Sequence, residues 1–125
     1  MKVTDKQKKE VVKYIKKWKG ILFLNIWRID TYYVDDDSVE FVEIKMSPEY
    51  KNATILIRSD KFFENTKNSI EREEIISHEL CHCIVQPLVN ISCQAAMGRQ
   101  VTQEEIDWFK EEVTQHFTRA IFYKK

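Results

Sequence analysis

Ile75-Ile76-Ser77-His78-Glu79-Leu80-Cys81-His82 is the stretch from which the fold of this chain can be read. Residues four apart on an α-helix share one face, one turn apart. His78 and His82 so placed can offer two imidazoles to one metal ion. Glu79 is turned by about 100° from His78. A carboxylate there stands beside the ion, where it can hold a water molecule and take its proton. The pattern carries this meaning only on a helix, and the flanking residues predict one. No Gly or Pro interrupts Ile70 to Gln86, and Asn68 with Glu71 three residues on reads as a capping box. Glu71, Glu73 and Glu74 crowd the first turn, where the macrodipole favours acids. Pro87 is expected to end the helix.

Two histidines are an incomplete grip, because a catalytic zinc site has three protein ligands and one open position. The remaining histidine is His116, and the downstream acids are Glu104, Glu105, Asp107, Glu111 and Glu112. All lie on a second helical pattern, Gln103 to Tyr123, opened by Thr102 and Glu105 as a capping box. Ile106, Phe109, Val113, Phe117, Ala120 and Ile121 recur at threes and fours and make its apolar face. At about 100° per residue, Glu104 and Glu111 point away from that face. Glu112 lies on its flank with Glu105 and His116. A carboxylate beside a buried stripe needs a partner. Glu112 is therefore expected as the third ligand, with Glu105 and His116 as alternatives. Cys81, three residues after His78, is a competing thiolate donor for a structural zinc site. Its short side chain on the same helix makes that ligation awkward.

The motif resembles the gluzincin branch of zinc metallopeptidases, in which H-E-x-x-H is completed by a glutamate on a later helix. The layout is most similar to small single-domain H-E-x-x-H proteins encoded by bacteriophages and prophages. The similarity runs from about Ile21 to Ile121 and takes in N-I-W-R-I, A-T-I-L-I-R, I-I-S-H-E-L-C-H and E-E-V-T-Q-H-F-T. It implies a zinc cofactor held by His78, His82 and Glu112, Glu79 as catalytic base, and peptide-bond hydrolysis. It also implies that Ala53 to Arg58 borders a cleft able to hold extended substrate. In larger members an acid often follows the third ligand by four residues and supports a histidine. His116 stands at that position here, a departure from the pattern.

Composition fits one small domain spanning residues 1–125. The chain is 43% hydrophobic, enough for one real core, and its formal net charge is zero. No run of 18 apolar residues reads as a membrane span. The Lys-rich start lacks a signal core, and Cys81, Cys83 and Cys93 form no disulfide framework. A reducing, cytoplasmic setting is expected. The first 20 residues hold eight lysines against Asp5 and Glu10, a local charge of +6. Thr4 and Gln7 read as a capping box, Gly20 as a stop, and Val11, Tyr14, Ile15 and Trp18 as the buried face of a helix over 2–19. The opposite, basic face reads as solvated. No membrane partner and no nucleic acid are expected, the basic helix over 2–19 being the one weak exception for nucleic acid. The expected partner is a peptide or protein, as substrate or target.

Ile21 to Tyr33, Val39 to Met46 and Ala53 to Arg58 read as strands. Asp35 to Ser38 and Ser47 to Asn52 read as turns, which suggests an antiparallel meander. Asp35, Asp36 and Asp37 lack the spacing of a calcium loop. Asp60 is expected to cap a short helix through Phe63. The fold class is then α+β: a helix, a small three-stranded sheet, and two helices bearing the metal site. Function divides into a zinc peptidase, a zinc-stabilised inactive binding module, and a metal-free helical interaction protein.

Overall fold

Thr4 opens the first helix, α1 (Asp5–Ile21), with a reciprocal cap. Its hydroxyl accepts from the Gln7 amide at 3.1 Å, and the Gln7 side chain accepts from the Thr4 amide at 2.9 Å. The computed structural model describes residues 2–95 and 102–123, with backbone alone for 91–95. After α1 come β1 (Arg28–Val34), β2 (Val42–Ser47), a 3-10 turn (Pro48–Tyr50), β3 (Asn52–Arg58) and a short helix α2 (Ser59–Asn65). Two long helices follow, α3 (Ser69–Ala95) and α4 (Gln103–Phe122). The class is α+β, as expected.

The sheet is not a meander. Its order is β1-β3-β2, with β1 parallel to β3 and β2 antiparallel to it. A meander would have joined β1 and β2 by a tight turn. Instead, residues 35–41 cross the end of β3. Val39 is buried, Phe41 packs near Phe62, and the acids of the loop bind the end of β3. Asp37 pairs with Arg58 at 2.9 Å, and the Ser59 hydroxyl donates to Asp35 at 2.6 Å. The aspartates that read as a free polar turn thus anchor the crossover. Between β2 and β3 the chain does turn tightly, with Lys51 in the left-handed region (φ 53°). Strand content is shorter than the sequence suggests, because residues 22–27 form a loop whose Leu22, Leu24 and Trp27 fill the core instead.

One face of the sheet, carrying Ala53, Ile55 and Ile57, packs with Val11, Trp18, Phe62, Ile76 and Leu80 into a single core. α1 is fixed to α3 at its rim. Glu73 accepts from Trp18 Nε1 at 2.9 Å and from Lys17 at 2.8 Å, and Arg72 pairs with Glu10 at 2.7 Å. α1 runs one residue past Gly20, and the lysines of its outer face line an open groove on its solvent side. No helix among the described residues is long and apolar enough to cross a membrane.

α3 does not stop at Pro87; it continues to Ala95. Proline's fixed φ is itself close to helical, so its presence costs a backbone bond and some bending rather than termination. The preceding turns are held by buried Ile76, Leu80 and Cys83. At the start, Asn68 caps the Glu71 amide at 2.9 Å, while the Glu71 carboxylate reaches the Lys67 amide at 3.0 Å, one residue before the expected one.

Candidate metal centre

α3 and α4 pack side by side, and their seam carries the site. His78 and His82 lie one turn apart on α3, as read from the sequence. Their Nε2 atoms face the two carboxylate oxygens of Glu111 on α4. His78 Nε2 is 3.3 Å from Oε2, and His82 Nε2 is 3.4 Å from Oε1. Donor atoms of the three residues lie within 4.8 Å of one another. Ligands about 2.0–2.2 Å from a tetrahedral zinc stand roughly 3.3–3.6 Å apart. The two His–Glu separations match that spacing and exceed the usual length of about 2.9 Å for an N–H···O hydrogen bond. Two imidazoles and one carboxylate are also the donor chemistry of catalytic zinc. The residues present fit the ion.

The third member is Glu111 and not Glu112. Glu112, Glu105 and His116 are all exposed on the outer side of α4. The expected helical phase is off by close to one residue. Phe109 is 60% exposed, whereas Thr114 and Thr118 are fully buried, with Phe122 beside them on the inner face. Threonine reads as polar in a hydropathy pattern, yet each hydroxyl here donates to a carbonyl of its own helix. Thr114 Oγ1 bonds Lys110 O at 2.8 Å, and Thr118 Oγ1 bonds Thr114 O at 2.7 Å. So satisfied, a threonine packs like a valine. Its recurrence at 114 and 118 is the signal that turns Glu111 toward α3, where it stays at the rim, 56% exposed.

Glu79 lines a cleft of about 560 Å³ together with His82, Glu111, Lys110, Gln86 and Asn90. Its opposite wall is β2: Val42, Glu43, Ile44 and Met46, followed by Pro48. β2, an edge of the sheet, borders the cleft; β3, expected there, is central and paired on both sides. Burial, then the charges of Glu111 and Glu43, push the Glu79 carboxyl up to about 8, with Lys110 acting against them. Burial pulls His82 down to about 4, against the attraction of Glu111. His82 is thus a neutral imidazole at neutral pH, the form that ligates metal.

The cysteines stay out of the group. Cys81 and Cys83 are buried and free, and burial raises both thiols, Cys83 to about 12. Such thiols do not ionise readily. Cys93 lies outside the described side chains. Compared with known proteins, the chain matches no family model, no curated protein and no solved structure.

Proposed function

We propose that this chain is a zinc-dependent peptide hydrolase whose metal is held by His78, His82 and Glu111 and whose general base is Glu79. The observation that carries the reading is the convergence of both imidazoles on one carboxylate, at the side of a cleft that His82, Glu111 and Glu79 line. Zinc there would supply a Lewis acid for a carbonyl oxygen and lower the pKa of water at the site. Glu79 holds the attacking water by a hydrogen bond, accepts its proton at a carboxylate oxygen, and passes it to the leaving amine. A positive charge on the triad favours the ionised form of Glu79, opposing the burial that raises its pKa. Lys110 acts in the same direction.

β2 supports an extended peptide as the substrate. The Arg58 amide donates to Phe41 O at 2.9 Å, which makes 41 and 58 a hydrogen-bonded pair. By alternation the backbone groups of Val42, Ile44 and Met46 face away from β3, at the edge beside the cleft. An extended chain can add there as a further strand. The free buried thiols suit a reducing cytoplasm.

The test is cleavage of a peptide library by the parent protein and by Glu79→Gln at matched zinc occupancy. Glu79→Gln should bind zinc as the parent does and lose about 10²–10⁴-fold in rate. Undiminished cleavage would refute the assigned base. Absence of cleavage by a zinc-loaded parent would favour an inactive module that holds a partner in the same cleft.

A further inference from the structure

A metal-ligating histidine needs its second ring nitrogen fixed, since that bond sets the tautomer and aims the first. The two histidines of the site differ here. His78 Nδ1 is buried and has no hydrogen-bond partner among the described residues. His82 Nδ1 has one: the Thr114 hydroxyl, 3.3 Å away in the buried seam. The direction of that bond follows from the other bond Thr114 makes. A hydroxyl carries one hydrogen. Thr114 directs its own toward Lys110 O at the shorter distance of 2.8 Å. What it presents to His82 is a lone pair. The bond therefore requires the proton on Nδ1, which leaves Nε2 as a bare lone pair facing Glu111.

Resting on the zinc reading above, we propose that Thr114 is a positioning residue that holds His82 in its Nδ1–H tautomer, with Nε2 directed to the metal. It stands three residues after Glu111, so one turn of α4 supplies both a ligand and the support for a histidine on the facing helix. Thr114 is fully buried, and these two contacts satisfy its hydroxyl there.

Two measurements test it on the full chain. The first is zinc affinity, by competition with a chromophoric chelator, for the parent, Thr114→Val and Thr114→Ser. Thr114→Val keeps the shape and removes the acceptor; it should weaken zinc binding by about 10–100-fold. Thr114→Ser restores the hydroxyl and should recover most of that loss, which a purely packing role would not produce. The second is the ¹⁵N NMR signature of the His82 ring at neutral pH, with and without zinc. The parent should hold its proton on Nδ1 in both states, and Thr114→Val should lose that preference when metal-free. Parent-like affinity in Thr114→Val, or a proton on Nε2 in the metal-free parent, overturns the proposal. A parent that binds no zinc while keeping the Nδ1 proton overturns the metal reading and leaves the Thr114–His82 bond standing. The two failures are thereby told apart.

Discussion

Two buried regions of this molecule are built on opposite terms. The core between the sheet, α1 and α3 is filled by large apolar side chains, Ile55, Ile57, Phe62, Ile76, Leu80 and Val11, none with measurable exposure. α3 and α4 bury polar side chains as well, Ser77, His82, Thr114 and Thr118, and Glu111 at the rim of their seam is 56% exposed. Burying polar groups costs free energy unless they are bonded, and bonding them returns little net stability. The seam avoids most of the cost by returning its hydroxyls to carbonyls of their own helices, as Ser77 does to Glu74 O at 2.8 Å. What it provides is placement: two imidazoles, a carboxylate and a positioning hydroxyl at fixed separations.

The contrast is sharpest if one residue is removed from the apolar side. Phe62→Ala should destabilise the metal-free protein by about 3–5 kcal/mol in denaturant unfolding, the usual cost of emptying an aromatic site in a core. A loss below about 1 kcal/mol would mean that the core is less closely packed than the contacts of Phe62 with Phe41 and Phe63 indicate.

A smaller effect should expose the seam through pH. In the metal-free protein, Glu79 is raised from 4.5 to about 8. A raised acid binds its proton more tightly when folded, so its contribution is present below 4.5 and is lost as pH climbs to 8. His82 is lowered from 6.5 to about 4, and its contribution is present above 6.5 and lost as pH falls toward 4. Between 4.5 and 6.5 the two trends oppose each other; from 6.5 to 8 only the Glu79 trend acts. The melting temperature of chelated protein should therefore fall across that upper window. Glu79→Gln should flatten the fall, and an unchanged slope would assign it to other groups.

Much of this was legible in the residues, and the failures share a cause. The helix bearing His78, Glu79 and His82 was readable because cap, charge and spacing agree. The α1 face of Val11, Tyr14, Ile15 and Trp18 was readable because strong apolar residues repeat against lysines. The sheet order was hidden, since the position of β1 depends on Asp35 and Asp37 binding Ser59 and Arg58 about two dozen residues on. No local pattern encodes that. The carboxylate that faces the two histidines is one residue from the expected one, because Phe109 and Val113 look buried and are not, while Thr114 and Thr118 look exposed and are buried. A stripe of hydropathy cannot tell a threonine bonded to its own helix from one turned to water.

The proposed metal centre depends most on Glu111, so zinc content is the measurement that bears on it directly. Parent, Glu111→Ala and Glu112→Ala should be purified alike, equilibrated with zinc and assayed for metal per folded chain. The parent and Glu112→Ala should carry one zinc, and Glu111→Ala should lose it or bind it far more weakly. Chelation should lower the melting temperature of the first two and leave the third nearly unmoved, because metal stabilises only the state that binds it. A parent without zinc, or a Glu111→Ala variant that keeps it while Glu112→Ala does not, would contradict the site described here.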